Sequence, residues 1–538
     1  MMENSSRSGS TSDGQGISSF YVGHRTAGLG STAHHALPFR PMPLDPRLPV
    51  IVGAGQVVQR AATVADAREP VDLIADAVLA AATDAGLASL ATVDSIRIVQ
   101  LLSWRYRDPA HFVAEALGIT PRELAYTTMG GNTPQTLINT TAAEIQRGDI
   151  DCAVLAGGEC WRTRMRARRD DVTLTWKKLP EGTVPSRVIG GELDMSNPAE
   201  VARGVIMPVQ VYPMFESAVR AACGEGVEAH QVRISEMWAR FSAVAAHNPY
   251  AWVQRELTPE EVRTPGPNNR MIGFPYPKYM NSNNDVDMSA ALIMCSVEYA
   301  RRLGVSEDRW VFLHAGVDCH DSGFVSNRED FNSSPSVRIG GRRLLDLAGI
   351  GIDDVEVIDL YSCFPSAVQV GAAGLGLGLD RQLTRTGGLA FAGGPWNNYV
   401  THAVATVAND LRERPGSYGL VWGNGGFLTK HSFGIYSTTP PPDGPRLDGE
   451  DVQPQIDAVR SRPLAEPADA AGPATVEAYT VMHDRDGLPE TALVACLLAD
   501  GRRAWGTSTD RDLAAAMCEG EWVGRAVTLD ADGTLRAG

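Results

Sequence analysis

Tyr361 stands at the end of a predicted buried strand, where a phenol could do acid–base chemistry. The run VEVIDLYS (355–362) is rich in apolar and β-branched residues, which is typical of a strand covered on both faces. Open α/β sheets bind their ligands at the carboxyl ends of such strands. With a suitably shifted pKa, the phenol could exchange a proton with a β-hydroxyl group. The alternative is a core tyrosine whose hydroxyl is satisfied by the protein.

Residues 126–160 predict a strand, a glycine turn, a helix and a second buried strand. Thr133 is placed to cap this helix, and Pro134 fits its first turn. The arrangement directs backbone N–H groups and the positive end of the helix dipole toward whatever lies beside the turn. We call this strand–turn–helix unit the elbow.

Three glycine-rich turns are predicted to bind a carbonyl oxygen through backbone N–H groups. The candidates are Gly130, Gly131 and Asn132; Gly393 and Gly394; and Asn424, Gly425 and Gly426. One such donor is worth about 3–4 kcal/mol in a transition state. Alternatively, these glycines only allow tight turns between strands and helices.

The segment WRTRMRARRD (161–170) is basic in a chain that is acidic overall. Guanidinium groups suit phosphate recognition, so Arg164 and Arg166 are candidates for binding phosphates. A solvated basic loop is the alternative.

Composition excludes several classes of protein. The net charge of −16 argues against nucleic-acid binding, which needs a basic face. No apolar run reaches the roughly 20 residues that span a bilayer, so no membrane span is expected. Eight cysteines lie without a CxxC pair, which indicates neither a metal site nor a disulfide framework. We therefore expect free thiols and a cytoplasmic protein.

Alternating strands and helices predict an α/β protein with a mostly parallel sheet. Residues 283–303 are predicted to be helical, and short β-type runs after residue 473 predict a small closed barrel of the OB type. The predicted segments are a disordered leader (1–44), a first half (45–303) with a loop insertion (about 160–280), a second half (304–437), a linker (438–473) and the OB-like domain (474–538).

From about residue 48 to 437 the chain resembles the thiolase superfamily, including the sterol-carrier-type thiolases and their aldolase relatives. The segments that carry the resemblance are IVGAGQ, AAEIQRGDIDCAVLAGGE after the elbow, DVDMSAALIM, IDLYSCFPSAV, GGLAFAGGPWNNYVTHA and GLVWGNGGFLTKHSFGIYST, in the family's order. The resemblance implies a five-layer α-β-α-β-α fold of two similar halves. It also implies that coenzyme A thioesters bind where the halves meet, and OB domains accompany the sterol-type members.

The resemblance also shows which reactive residues this chain lacks. Gly130 stands where thiolases carry the nucleophilic cysteine, and Gly394 stands where they carry the histidine of GHP. Tyr361 replaces the histidine of HDCF, and tyrosines serve the steroid side-chain aldolases of this superfamily. His402 follows the lost histidine by eight residues, and His431 lies in a segment like the TKH of sterol-type relatives. Both are candidate catalytic residues, with a core or surface histidine as the alternative.

Three functions remain open at this point. The chain could be a CoA-dependent acyltransferase of the acetyl-CoA acetyltransferase kind, a retro-aldol lyase acting on a β-hydroxyacyl-CoA, or a non-catalytic acyl-CoA or lipid carrier. We expect an acyl-CoA-binding protein of fatty-acid or steroid metabolism, with CoA thioester as substrate or ligand and no permanently bound cofactor. Thiolase relatives dimerise through the core sheet, so a homodimer is expected, or a monomer if the C-terminal domain covers that face.

Overall fold

A computed structural model of the chain describes residues 44–449 and 451–537. The predicted leader lies outside the described residues except for Leu44. None of the helices in these two ranges is long and apolar enough to cross a bilayer. The eight cysteines are free thiols, and six of them are buried.

Strands and helices alternate up to residue 189, and runs of consecutive helices or strands follow. The strands are β1 (Pro49–Val58), β2 (Ser95–Ile98), β3 (Glu123–Thr127), β4 (Cys152–Cys160), β5 (Arg187–Ile189), β6 (Met271–Gly273), β7 (Tyr276–Pro277), β8 (Asp287–Ser296), β9 (Val311–His320), β10 (Val355–Leu360), β11 (Tyr418–Gly425), β12 (Lys430–Ser437), β13 (Arg446–Asp448), β14 (Gly472–His483), β15 (Pro489–Leu498), β16 (Arg503–Ser508), β17 (Ala526–Leu529) and β18 (Leu535–Ala537). The helices are α1 (Pro70–Asp84), α2 (Pro109–Leu117), α3 (Thr133–Arg147), α4 (Trp161–Arg169), α5 (Pro198–Ala202), α6 (Pro208–Ala222), α7 (Val227–His247), α8 (Pro259–Arg263), α9 (Val297–Arg302), α10 (Pro335–Ala348), α11 (Pro365–Leu375), α12 (Gly388–Phe391), α13 (Tyr399–Glu413), α14 (Gln453–Asp457) and α15 (Arg511–Glu519).

One large mixed sheet runs through the main body in the order β10–β11–β12–β9–β1–β8–β4–β2–β3–β5, and β13 also pairs with β9. β1 pairs with β8 along almost its whole length, but it meets β9 only at Val50 and Ile51. The sheet therefore consists of two half-sheets that are joined at one end of β1.

Helices cover both half-sheets and separate them. α3 and α13 pack against strands of both half-sheets and form the central layer. On the outside, α1 and α2 cover the first half-sheet, and α10 and α11 cover the second. The α-β-α-β-α order that the resemblance implies is confirmed.

The helix predicted over residues 283–303 is wrong. Residues Asp287–Ser296 form β8, a central strand between β1 and β4, and only Val297–Arg302 are helical. Every residue of β8 is buried. A strand buried on both faces lacks the alternation of polar and apolar residues that distinguishes a strand from a helix.

The predicted insertion, residues 160–280, contains α4 to α8 and three short strands. One of these strands, β5, covers the outer edge of the first half-sheet. Its residues 187–189 pair in parallel with residues 125–127 of β3. The insertion therefore supplies the last strand of the sheet as well as loops and helices.

Strands β14 to β18 form a second, antiparallel sheet at the carboxyl end of the chain. β6 of the insertion extends it, and the Phe274 N–H donates to the Val481 carbonyl at 2.8 Å. The buried Arg503 guanidinium binds the Ser326 and Arg328 carbonyls of the main body. The segment predicted as a linker carries β13 and α14, and β13 pairs with β9 of the main body.

Candidate functional site

The turn between β3 and α3 carries Gly130 and Gly131 to the wall of a cavity. α3 begins at Thr133, so Asn132 occupies the position that precedes the helix. The Thr133 hydroxyl donates to the Gly130 carbonyl at 2.8 Å. This bond closes the turn on itself and leaves the Gly130–Gly131 main chain facing the cavity.

The cavity has a volume of about 290 Å³ and is mostly apolar. Its larger side chains come from both halves and from the insertion: Leu102, Met129, Met195, Met207, Val209, Tyr212, Phe364, Leu389, Trp396 and Phe427. The predicted site residues that line it are Gly130, Gly131, Tyr361, Asn424, Gly425 and Gly426. The structure therefore brings together two of the three predicted glycine turns and the predicted tyrosine.

A side chain at Gly130 does not fit without displacing its neighbours. The φ angle of Gly130 is 155°, a conformation that residues with a side chain rarely adopt. A Cβ at this position would lie less than 3.0 Å from Asn132 Oδ1 and 3.1 Å from Lys430 Nζ. The Lys430 amine is fixed there by a hydrogen bond to the Met129 carbonyl. The place of the thiolase nucleophile is thus taken by an amide and an amine.

Tyr361 extends its hydroxyl to the opposite side of the turn. A Cβ on Gly131 would lie less than 3.0 Å from this oxygen, so the absence of a side chain at Gly131 makes room for the phenol. The ring packs edge-on against Tyr399 at 5.5 Å. Burial, and after it the nearby Cys363, raise the pKa of Tyr361 far above its ordinary value. The phenol therefore stays neutral, a state that suits it to donate a hydrogen bond rather than to act as a base.

Tyr212 organises the far wall of the cavity, and no pattern in the sequence marks this residue. Its hydroxyl accepts from Asn424 Nδ2 at 3.0 Å and from the Leu428 N–H at 3.2 Å. Its ring stacks on Phe364 at 4.6 Å. Cys363 also lines the cavity, but burial raises the pKa of its thiol to about 12, which disfavours the nucleophilic thiolate.

The third glycine turn supports the cavity from behind. Gly393 and Gly394 do not line the cavity, but Ser282 does. A Cβ on Gly394 would lie less than 3.0 Å from Ser282 Oγ, so Gly394 packs directly behind this lining residue. Asn397, just beyond, was not predicted. Its Oδ1 accepts from the Gly130 N–H at 3.1 Å, so it anchors the elbow to the second half.

The two candidate histidines are buried away from the cavity. His402 lies in α13, where Nδ1 contacts Gln56 Oε1 at 2.8 Å, and burial lowers its pKa to about 3. His431 contacts Asp321 through Nε2 at 3.2 Å and accepts from Trp422 Nε1 at 3.2 Å. Both histidines contact other buried side chains of the protein. Of the two, only His431 lines a second, smaller cavity, which Asn132 also lines.

Arg164 and Arg166 lie on opposite sides of α4 because residues two apart on a helix are about 200° apart. Arg164 lines an open groove of about 790 Å³ and donates to the Leu102 carbonyl at 2.7 Å. Leu102 also lines the cavity, so groove and cavity adjoin. Arg166 faces a different depression and donates to the Ala61 carbonyl at 2.9 Å.

Comparison with solved structures identifies the family. A monomeric SCP2-thiolase-like protein type 1 from Mycobacterium smegmatis superposes with a TM-score of 0.78 and is 32% identical, covering 92% of this chain and 100% of its own. This chain belongs to the SCP2-thiolase-like protein type 1 family. The model of the thiolase-like protein type 1 additional C-terminal domain matches residues 451–534.

More distant relatives share the fold or a part of the sequence. The Ltp2-ChsH2(DUF35) aldolase covers 73% of this chain and 98% of its own, with a TM-score of 0.54 and 19% identity, which shows the fold alone. The benzoylsuccinyl-CoA thiolase subunit BbsB of Thauera aromatica is 27% identical over 123 residues, 23% of this chain. The chain spans 30% of the length of that curated relative.

Proposed function

We propose that this type 1 thiolase-like protein binds an acyl-CoA thioester of lipid or steroid metabolism, with the acyl group in the 290 Å³ cavity. The observation that carries the proposal is the pairing of an intact apolar cavity with a blocked nucleophile position. Asn132 and Lys430 occupy the space in which a cysteine at position 130 would act. Acyl transfer through the elbow is therefore excluded from the proposed chemistry, although the cavity is kept.

The groove beside the cavity supports a CoA ligand. Four cationic side chains line it, from Arg105, Arg107, Arg164 and Lys178. The groove adjoins the cavity at Leu102. In this proposal the CoA phosphates lie on the basic groove while the pantetheine arm passes Leu102 toward Gly130.

A retro-aldol lyase is the second candidate, and the Tyr361 hydroxyl favours it. In that reaction a base removes the β-hydroxyl proton, the Cα–Cβ bond breaks, and the electron pair moves onto the thioester as an enolate. No covalent enzyme intermediate is required, so Gly130 is no obstacle. A neutral phenol at the wall of the cavity can donate a hydrogen bond to the enolate oxygen as its charge develops.

Turnover assays separate the candidates. Purified protein is incubated with CoA plus a 3-ketoacyl-CoA, and separately with branched β-hydroxyacyl-CoAs, and the products are followed by mass spectrometry. We expect no acetyl-CoA from the first mixture. A ketone or aldehyde from the second establishes the lyase, and saturable binding without products establishes a carrier. Acetyl-CoA release from the first mixture would contradict the proposal.

A matched pair of variants tests the groove. Arg164→Ala is expected to weaken CoA binding by about 1.5–3 kcal/mol, the worth of a hydrogen bond to a charged group. Arg166→Ala, on the same helix but facing away, is the control and should bind CoA like the unaltered protein. Equal effects of both substitutions would remove the groove from the proposal.

We also infer that the protein is a monomer. The outer edge of β3 is already paired by β5 of the same chain, so its backbone groups are not free to pair with a second copy. Light scattering should give the mass of one chain. A mass of two chains at micromolar concentration would contradict this inference.

A further inference from the structure

A second, polar cavity of about 230 Å³ lies on the other side of the elbow. Its wall includes the hydroxyl residues Thr128, Thr133 and Thr136, together with Asn132 and Lys430. It shares no lining residue with the apolar cavity, and none of the steps proposed above uses it.

Lys430 is a buried amine in this cavity without an ion-pair partner. Its residue is only 8% exposed. In the described part of the chain no carboxylate lies within 4.0 Å of Nζ, and its hydrogen bond is to the Met129 carbonyl. Burial lowers the pKa of Lys430, although Glu192 at the cavity opposes this shift. A larger fraction of the amine is therefore uncharged than in an exposed lysine.

Lysine is rare in this chain, which makes its use at this position informative. Only four of the 48 lysine and arginine residues are lysines. Lys177, Lys178 and Lys278 are exposed, so Lys430 is the single buried one. A guanidinium could provide the same charge and the same bond to Met129, but it cannot lose its proton to become a nucleophile.

His320 lies opposite Lys430 on the neighbouring strand. Lys430 of β12 and His320 of β9 are direct partners in the antiparallel register, so their side chains lie on the same face of the sheet. Both line the cavity. On the other side of Lys430 the partner in the register is Gly425, which has no side chain to compete for the space. His320 Nδ1 contacts the Asp321 carbonyl at 3.0 Å and Gln453 Nε2 at 3.5 Å.

We propose that Lys430 is a nucleophilic amine that forms a Schiff base with a small carbonyl compound bound in the second cavity. The Nζ lone pair attacks the carbonyl carbon, and the carbonyl oxygen takes up the proton that nitrogen releases. The resulting carbinolamine loses its hydroxyl group as water while the C=N bond forms. One water is released, nothing is oxidised or reduced, and His320 is placed to relay the protons.

The chemistry of the wall indicates the class of ligand. Hydroxyl and amide groups favour a hydroxylated compound, and the volume limits its size. The carboxylates of Glu192 and Asp318 line the same cavity and disfavour an anion. We therefore assign a small, uncharged hydroxyaldehyde or hydroxyketone to this cavity.

Reductive trapping on the full-length protein tests the assignment. The protein is incubated with glycolaldehyde and cyanoborohydride, and peptide mass spectrometry follows the labelling of each of the four lysines. Because burial lowers the pKa of Lys430, a larger fraction of its amine is free to react, so Lys430 should be labelled faster than the exposed Lys278. Labelling of Lys430 at or below the rate of Lys278 would overturn the proposal.

Two variants and a second aldehyde serve as controls. Lys430→Arg should keep the fold and lose only the fast phase of labelling. His320→Gln should slow labelling of Lys430 by about tenfold or more while Lys178 reacts as before. Propanal, which lacks the hydroxyl group, should show less preference for Lys430 than glycolaldehyde does. If Lys430 is labelled at the same rate in His320→Gln as in the unaltered protein, the proton relay is overturned. If Lys430 shows the same preference for both aldehydes, the assigned class of ligand is overturned.

Discussion

Two strand–turn–helix units meet at the apolar cavity, one in each half of the molecule. The first runs from β3 through Gly130 into α3, and the second runs from β10 through Tyr361 into α11. In both, a proline occupies the first turn of the helix, Pro134 in α3 and Pro365 in α11. The first turn presents backbone and the Met129 side chain to the cavity, whereas the second presents a phenol and the Cys363 thiol.

The comparison shows that scaffold and chemistry are separable in this fold. Backbone shape depends on glycine, proline and the pairing of strands, so it survives the loss of a nucleophile. The reactive side chains belong to a few positions in the two turns. In the lyase candidate the hydrogen-bond donor lies in the second turn, and the first turn forms only a part of the cavity wall.

The largest expected effect comes from adding a side chain to the first turn. In Gly131→Val the new atoms would collide with the Tyr361 hydroxyl and with the Asn424 carbonyl. We expect the free energy of unfolding, measured by urea denaturation, to fall by about 3 kcal/mol or more. The control is Gly266→Ala, at a glycine with no neighbour within 4 Å of its Cβ position. Equal stability of both variants would show that the two turns do not meet as described.

Restoring the thiolase residue should not restore thiolase activity. Gly130→Cys places Cβ against Asn132 and Lys430 in an unfavourable backbone conformation, at a cost of about 1–3 kcal/mol. Thermal unfolding should show this loss, and acetyl-CoA release from a 3-ketoacyl-CoA should stay at background. A second substitution, Asn132→Ala, should recover part of the stability. A stable and thiolytically active single variant would refute the blocked position.

His402 is buried in α13, away from both turns of the cavity wall, and is predicted to affect folding alone. Its pKa is about 3 in the folded protein and about 6.5 when unfolded, so below pH 6.5 only the unfolded chain takes up the proton. Stability from this group is therefore complete above pH 6.5 and is lost as the pH falls. The difference in unfolding free energy between the unaltered protein and His402→Leu should shrink by about 1.4 kcal/mol per pH unit. Urea denaturation of both proteins at pH 7 and pH 5 measures this difference. A difference in unfolding free energy that is the same at both pH values would contradict the lowered pKa of His402.

The smallest effect is expected at the second turn. Tyr361→Phe removes one hydrogen-bond donor and keeps the ring, so acyl-CoA binding should weaken by about 0.5–1.5 kcal/mol with little change in stability. Cys363→Ala is the matched control at the same turn and should bind like the unaltered protein. If lyase turnover is found, Tyr361→Phe must lower it; full activity would remove the role of this residue.

Local patterns in the sequence predicted the elements that carry the cavity. The strand, turn and helix of the elbow, the strand β4 that follows them and the strand β10 are all predicted, together with the Gly130 and Tyr361 turns. The prediction of a helix at strand β8 is wrong, because a strand that is buried on both faces shows no alternation of polar and apolar residues.

The walls of the cavity could not be predicted in the same way. Tyr212 reaches Asn424 from a helix of the insertion more than 200 residues away in the chain, and no local signal marks such a contact. Arg164 and Arg166 were predicted together, but the helix that carries them directs them to different depressions. The Lys430–His320 pair depends on the register between β12 and β9, which only the structure provides.

Calorimetric titration with CoA, acetyl-CoA and a longer acyl-CoA shows whether the apolar cavity binds a thioester. We expect saturable binding at one site. Affinity should rise with the length of the acyl chain, by up to about 0.8 kcal/mol for each methylene buried in the cavity. If no CoA compound produces heat, or if the affinity does not depend on the length of the acyl chain, the cavity does not bind the acyl group of a thioester.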